Sequence, residues 1–314
     1  MRWPLHPLAR TDLARGAWIA EVCALVFALF HFFGVTDVGY DPATATRSAF
    51  VWLGRRWRGD LDVSWFASGH LIPVVTLLLV WSRRRALRAA VAERTSNIGL
   101  ACVVLALALH WVGARAQQTR LSLAAFALLS WAIPFYAGGG RVARALAFPC
   151  LFLLLAIPLN FMDGLTRPLR YVAVQLSALL LSGLGLNVDL AGSLVYSRVE
   201  HGFRLELADH VSGIYPAAAL AALVLATGFL RRWSTARLTA TLAALPVVIV
   251  LANTLRTVVF GLAGEAFGGA ATAGAFARWS PSFFLLIALV GLMGLAPLWR
   301  QLRAHGRAWG GGQA

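Results

Sequence analysis

LTATLAALPVVIVLANTLRTVVFGL, residues 238–262, is an apolar run in which Arg256 is the single charged side chain. A helix needs about 20 apolar residues to cross the hydrocarbon core of a bilayer, so this run predicts a transmembrane helix. The rest of the chain has the same character, because 59% of its 314 residues are hydrophobic and 13% are charged. Soluble domains carry about 25% charged residues. The sequence therefore indicates an all-α polytopic membrane protein.

Eight further apolar runs accompany this one. They are residues 17–35, 66–81, 98–112, 121–136, 145–159, 169–186, 211–230 and 283–299. The first run follows three arginines and has the length of a membrane span. Because no small-x-small cleavage motif follows it, we interpret residues 16–36 as a retained N-terminal anchor helix and not as a signal peptide.

The positions of the arginines orient the runs, because cytoplasmic loops of membrane proteins carry an excess of basic residues. Four groups flank apolar runs, at residues 83–94, 141–144, 231–237 and 300–307. If all four are cytoplasmic, one of the five runs between the first and third groups does not cross. We assign this role to residues 169–186, as an interfacial or re-entrant helix, because the run contains Arg170, Gln175 and Ser177.

This scheme predicts about eight transmembrane helices in the inner membrane of a bacterium, with both termini in the cytoplasm. The segments at residues 37–65, 187–210 and 263–282 then lie outside the membrane on the opposite side. Residues 203–207, Phe-Arg-Leu-Glu-Leu, alternate between apolar and charged and predict a short extracytoplasmic strand or hairpin. We expect residues 1–314 to form a single integral membrane domain that ends in a basic cytoplasmic tail at residues 301–314.

Composition also bears on ligands. The net charge of +15 comes from 28 basic residues, but these arginines lie in short loops between apolar runs, so we predict no nucleic-acid partner. The three cysteines, Cys23, Cys102 and Cys150, each lie inside an apolar run without metal-ligand spacing. We therefore predict neither a metal site nor a cofactor.

Three polar stretches are expected to meet at the outer face. They contain Asp209, His210, Ser212 and Tyr215 in the first, Asn253 and Arg256 in the second, and Arg278, Trp279 and Ser280 in the third. Asn253 and Arg256 are three residues apart and share one helix face. A guanidinium group at that depth needs a carboxylate, carbonyl groups or a substrate as its partner. Arg256 either belongs to a binding pocket or ties helices together by pairing with Asp209 or Glu265.

The order of the motifs resembles that of the exosortase/archaeosortase family, over most of residues 50–300. The stretches that carry the resemblance are Ser68–Pro73, Phe148–Leu153, Ile157–Leu159, Pro168–Leu169, Leu184–Leu186, Phe203–Leu207, Asp209–Gly213, Asn253–Arg256 and Phe276–Ser280. The resemblance implies a membrane enzyme that cleaves and transfers proteins with a C-terminal sorting tag. Such a tag is a short motif such as Pro-Glu-Pro, followed by a hydrophobic helix and a basic tail.

Two departures alter what the resemblance implies. Val211 stands at the position of the family's nucleophilic cysteine, and Ala277 stands near the position of its histidine. By the resemblance, Arg256, Asn253, His210, Ser212 and Asp209 are the site residues. We expect a catalytically degenerate relative that binds membrane lipid and a sorting tag or exopolysaccharide-assembly proteins.

Two alternatives remain open at this stage. In the first, the protein is an active peptidase or transpeptidase in which Ser212 is the nucleophile or His210 is the base. In the second, it is an unrelated membrane transporter or a component of polysaccharide assembly.

Overall fold

A computed structural model describes residues 7–34, 46–58, 69–90, 95–157, 162–199, 202–206 and 214–310. The helices are α1 (Pro7–Phe32), α2 (Ala49–Arg58), α3 (Leu71–Ser82), α4 (Arg84–Ala90), α5 (Asn97–Arg115), α6 (Thr119–Leu153), α7 (Met162–Gly183), α8 (Ile214–Leu230), α9 (Thr235–Phe267) and α10 (Gly269–Gly310). The strands are β1 (Val188–Ala191), β2 (Leu194–Ser197) and β3 (Arg204–Glu206). The predicted helical class is confirmed. The chain divides into two compact units, residues 1–62 with 69–158, and residues 63–68 with 159–314.

The first unit is built on a hairpin of α5 and α6. The side chain of Ser96 caps α5 by accepting a hydrogen bond from the backbone N–H of Gly99 at 3.2 Å. At the other end of α5, Gly113 lies directly against Ser122 of α6. Gly99 lies just as closely against the backbone of Tyr136. Glycine at these two positions lets the helices approach closely along their length, as small residues do in membrane helix pairs.

Helix α6 folds back on itself at Gly139. This residue has φ 72° and ψ −168°, a backbone conformation that is essentially restricted to glycine. The indole Nε1–H of Trp131 donates a hydrogen bond to the carbonyl oxygen of Ala143 at 2.8 Å. In a straight helix these residues would be separated by a rise of about 18 Å, so the chain must turn back between them. The two apolar runs predicted at 121–136 and 145–159 are thus the two arms of one bent element.

Three helices have the length and apolar composition of a membrane span. They are residues 97–115, 119–156 and 235–267, and a bent pair at residues 274–280 and 282–295 makes a fourth if it is counted as one span. Shorter apolar helices occupy residues 17–32, 71–82 and 218–230. These spans support a membrane protein, and the count of about eight crossings stays a prediction. Helix α7 is not among the candidate spans, and its interfacial or re-entrant position also stays a prediction.

The second unit packs α7, α9 and α10 against a small sheet. The sheet is antiparallel in the order β1-β2-β3, with Asp189 opposite Tyr196 and Val195 opposite Leu205. In β3 the central Leu205 is buried, whereas the residues on either side of it are exposed. This pattern confirms the strand predicted from the alternating sequence. Its buried face packs on helices, which fixes the position of the sheet.

Two segments differ from the sequence prediction in secondary structure. Residues 49–58, which were predicted only as part of an outer connection, form the amphipathic helix α2 with Trp52 and Leu53 buried. The predicted outer connection at 263–282 is largely helical, because α9 continues to Phe267 and α10 begins at Gly269. Both segments mix charged and small residues, so neither shows a long apolar run. Helix formation in them depends on packing that sequence periodicity does not reveal.

Candidate functional site

The candidate site lies on the inward face of α9. Asn253 and Arg256 are both buried there, with exposed fractions of 3% and 0%. Leu251 and Leu255, on the opposite face, are exposed. The prediction that Asn253 and Arg256 share one helix face is therefore confirmed. They lie about three to four helical turns before the C-terminal end of α9, at a level where the helix packs against other elements of the second unit.

Arg256 is the bulkiest fully buried side chain among the residues that the structure describes. Its guanidinium carbon lies 5.3 Å from the centroid of the Phe276 ring of α10. That ring packs edge-on against Phe260 at a centroid separation of 5.1 Å. A guanidinium group over an aromatic face is held by cation–π attraction and by stacking. Phe276 therefore helps to orient the buried cation of Arg256.

Two uncharged polar atoms are buried on the helices that carry Arg256 and Phe276. The Oδ1 atom of Asn253 and the Oγ atom of Ser280 accept or donate no hydrogen bond within the described part of the chain. Ser280 is fully buried and lies one helical turn after Phe276. A buried polar atom without a hydrogen bond costs about 1–3 kcal/mol. Buried polar atoms in proteins normally have a hydrogen-bond partner, which a protein group, a water molecule or an ion can supply.

Of the third predicted polar stretch, residues 278–280, only one side chain is buried with the candidate site. Ser280 faces inward, whereas Arg278 and Trp279 are exposed. Asp209, His210, Val211 and Ser212 lie outside the described residues, and so does the prediction that they line one pocket with Arg256. Tyr215 opens α8 as predicted.

Of the two carboxylates that the sequence offers as ion-pair partners of Arg256, Glu265 lies among the described residues. Glu265 is exposed and lies nine residues beyond Arg256 on the same helix. Nine residues correspond to a rise of about 13.5 Å, and the buried guanidinium group points into the interior. Glu265 therefore does not fit as the carboxylate that neutralises Arg256.

The sheet packs against α9 one to two turns beyond Arg256. Phe203, immediately before β3, is fully buried and packs against α9 at Gly261 and Gly264. Phe203 belongs to one apolar cluster with Val174 of α7 and Phe276 of α10. The same cluster thus connects Phe276, whose ring contacts the Arg256 guanidinium group, to the sheet.

The sequence of the chain matches the model of a known protein family. The family model described as transmembrane exosortase (Exosortase_EpsH) matches residues 61–294. The chain belongs to the transmembrane exosortase family. The match contains both units in large part, and it contains every candidate site residue from Asp209 to Ser280. No curated protein and no solved structure is significantly similar to this exosortase.

The structure adds residues to this exosortase site that the sequence reasoning did not identify. The sequence places Phe276 at the start of a family-like stretch and gives it no role, whereas in the structure its ring lies against the Arg256 guanidinium group. Gly261 and Gly264 were not considered, although they make room for Phe203. Their spacing of three residues on one side of a transmembrane helix was the available signal, since small residues mark close helix packing.

Proposed function

We propose that this exosortase is a catalytically degenerate member of its family that binds a C-terminal sorting tag, or a partner protein, at a pocket around Arg256. The observation that carries the proposal is the complete burial of the Arg256 guanidinium group beside Phe276. Val211, which cannot act as a nucleophile, stands at the position of the family cysteine.

The burial of Arg256 argues for a binding role. Transferring a cation from water into a protein interior costs several kcal/mol, and apolar residues of similar volume usually stabilise a core better. A fold that needed only helix packing at this place would be served by leucine or methionine. Retaining an arginine supports recognition of negative charge, which a carboxylate or a polarised carbonyl oxygen of the bound segment supplies.

The cysteines of the chain do not restore the family chemistry. Cys23, Cys102 and Cys150 all lie outside residues 209–213, the stretch where the family has its nucleophile. A thiol nucleophile requires a basic neighbour to become a thiolate, and Ala277 stands near the position where the family has a histidine. We therefore propose binding without cysteine-dependent cleavage.

The principal alternative is an active peptidase or transpeptidase that uses Ser212 or His210. Ser212 and His210 are two residues apart, so they point in different directions if both are helical. Both residues lie outside the part of the chain that the structure describes, so this alternative stays open. Membership of the exosortase family argues against an unrelated transporter.

The remaining parts of the proposal concern location and partners. We propose that the protein lies in the inner membrane of a bacterium with both termini in the cytoplasm, so that the sheet and the Arg256 pocket are on the extracytoplasmic side. Its partners are then tagged proteins or exopolysaccharide-assembly proteins that present an anionic or carbonyl-rich segment at that side.

The test is a binding measurement with a tagged reporter. The reporter carries a Pro-Glu-Pro motif, a hydrophobic helix and a basic tail, and its affinity for the purified protein is measured in detergent. Arg256→Ala should weaken binding by at least about tenfold, the value of one charge-assisted hydrogen bond. Arg256→Lys should also weaken it, because lysine lacks the planar group that stacks on Phe276. The matched control is Arg278→Ala, which removes an exposed arginine and should leave the affinity unchanged.

If Arg256→Ala binds the reporter as tightly as the wild type, Arg256 is a structural residue and the proposal is wrong. A lower thermal unfolding temperature with unchanged affinity would identify that structural role directly.

A further inference from the structure

A groove lined by apolar side chains runs between α1 and α6 in the first unit. Its volume is about 790 Å³. Helix α1 lines it between Trp18 and Phe27, α6 lines it between Phe126 and Gly138, and α2 contributes Phe50. Among the residues that the structure describes, none that lines the groove is charged. Both the volume and the lining are those of a binding site for an apolar ligand.

Between the two ends of the groove, the side chains with polar atoms do not require a polar ligand. The hydroxyl of Ser130 donates a hydrogen bond to the carbonyl oxygen of Phe126 at 2.8 Å, so it is satisfied within its own helix. The thiol of Cys23 behaves as a small apolar group with a weak S–H donor. The walls therefore favour hydrocarbon over a ligand that needs hydrogen bonds.

The groove is closed at one end by a cluster of aromatic rings. Phe50 packs between the other two helices, with its ring centroid 5.6 Å from that of Phe27 and 5.2 Å from that of Phe126. Phe30, one turn further along α1, is fully buried and lies edge-on to Phe126 at 5.2 Å. Trp18, in contrast, is 46% exposed. Helix α1 thus packs on the body of the unit at its C-terminal end and diverges from α6 toward Trp18.

The length of the groove matches the depth of one membrane leaflet. Trp18 and Phe27 are nine residues apart, which is about 13.5 Å along α1. Phe126 and Gly138 are twelve residues apart, which is about 18 Å along α6. Trp18 and Gly138 are the lining residues farthest from the aromatic cluster, so they lie at the open end. Half of a hydrocarbon core is about 15 Å thick, so an acyl chain of one leaflet fits the groove lengthwise.

The open end of the groove lies beside arginine-bearing segments. Gly138 directly precedes the turn of α6, and Arg141 and Arg144 directly follow it. The arginine-rich helix α4 is also at this level, because Ala90 packs with Val142. Arginine groups at the ends of apolar helices mark the membrane surface. The open end is therefore at the level of lipid headgroups, and the aromatic cluster is deeper in the bilayer.

A transmembrane helix of a partner protein is too wide for this groove. A helix with its side chains has a diameter of about 10–12 Å, so a length of about 13.5 Å occupies about 1,100–1,500 Å³. The groove has a volume of about 790 Å³, so a large part of such a helix would lie outside it. Water does not fill cavities with apolar walls. An acyl chain, which is a single file of methylene groups, has both the width and the chemistry that the groove requires.

We propose that this groove binds one acyl chain of a membrane phospholipid, with the headgroup at the α6 turn and the chain end at Phe27, Phe50 and Phe126. The indole of Trp18 then lies at headgroup level, where tryptophan is enriched. The bound chain fills the space between α1 and α6 and holds the two helices at this separation. All residues of the site belong to the first unit, so the site does not depend on the function proposed for Arg256.

The test is photo-crosslinking with phosphatidylethanolamine that carries a diazirine in one acyl chain. The lipid is added to the purified full-length protein in dodecyl maltoside, and labelled residues are identified by mass spectrometry of peptides. A diazirine next to the ester should label the chain around Trp18 and Ala137, whereas a diazirine at the chain end should label it around Phe27 and Phe126. Phosphatidylglycerol with the same modified chain should label the same positions, because the groove recognises the chain and not the headgroup.

A larger side chain in the groove should displace the lipid. Ala137 lines the groove and is exposed, so the ring in Ala137→Phe enters the groove and not the packed interior of the unit. Loss of two buried methylene groups already corresponds to about tenfold in affinity, so labelling in the groove should fall at least about tenfold. The matched control is Ala108→Phe, at an exposed position of α5 that is not among the lining residues. Its labelling and unfolding temperature should stay at the wild-type level.

Three results would overturn the proposal. Labelling that is spread evenly over the exposed apolar helices, and is unchanged in Ala137→Phe, would identify ordinary boundary lipid. Labelling in the reverse order along the groove would place the headgroup at the wrong end. Cys23 is exposed on the groove wall. If oxidation with copper phenanthroline joins Cys23 of two molecules while the lipid leaves the groove unlabelled, a second copy of the chain occupies it and the lipid assignment is wrong.

Discussion

Replacing Gly264 with alanine should loosen the packing of the sheet on α9. A Cβ atom at this position would lie 3.1 Å from Cγ of Phe203 and closer still to its Cβ. Carbon atoms in contact prefer a separation of about 3.5–4.0 Å. Phe203 is fully buried, and its carbonyl oxygen accepts a hydrogen bond from the backbone N–H of Ser197 at 2.9 Å. Because Phe203 is held from both sides, the added methyl group should cost about 1–3 kcal/mol of overpacking.

The matched control is Gly274→Ala in α10, where a Cβ atom would meet no atom within 4 Å. Both substitutions gain the helix preference of alanine over glycine, about 0.5–1 kcal/mol. The difference between the two variants therefore isolates the overpacking cost. The assay is the free energy of unfolding in mixed micelles, followed by circular dichroism. If Gly264→Ala is as stable as Gly274→Ala, then Phe203 does not pack against α9 and the described support of the site is wrong.

Three further predictions concern other parts of the chain. Gly139→Ala should destabilise the protein by about 1–3 kcal/mol, because the backbone of Gly139 is strained for any other residue, whereas Gly140→Ala should not. Arg198 holds the pKa of the Asp189 carboxyl below its ordinary value through a hydrogen bond at 2.8 Å. The stabilisation from this pair is therefore fully present above about pH 4 and is lost as pH falls through the lowered pKa of Asp189, so Asp189→Asn should lower the unfolding temperature slightly at pH 7 and progressively less as the solution becomes more acidic. A cysteine introduced at Val199, which is exposed beside the sheet, should react with a membrane-impermeant maleimide added from the periplasm; reaction only from the cytoplasm would invert the predicted topology.

Features with a local signal in the sequence could be predicted. The long apolar run of α9 and the shared face of Asn253 and Arg256 follow from helical periodicity alone. The alternation around Leu205 likewise predicts a strand with one buried side. In each case the neighbours that determine the outcome are within a few residues in the chain.

Features that depend on distant contacts could not be predicted in the same way. The fold-back of α6 was represented only as two separate apolar runs, because nothing local to Trp131 reveals its hydrogen bond to Ala143. Helix α2 could not be predicted because its ten residues contain no long apolar run, and the burial of Trp52 depends on packing with distant parts of the chain. The contact between Arg256 and Phe276 joins residues 20 positions apart on different helices.

The electrostatic environment of the site was likewise beyond sequence reasoning. The sequence indicated that Arg256 needs a partner at its depth, but it did not distinguish the carboxylate of Glu265 from an aromatic ring. The exposure of Glu265 and the burial of Phe276 distinguish them in the structure. Burial is a property of the packed chain, and single-residue preferences do not determine it.

The most direct test of the central claim is the intact mass of a tagged reporter that is co-expressed and co-purified with this exosortase. Binding without cleavage predicts a reporter of full length in the complex with the wild type, and no complex with Arg256→Ala. A reporter shortened at its tag by the wild type, and restored to full length by Ser212→Ala, would contradict the degenerate assignment and identify a serine-dependent enzyme.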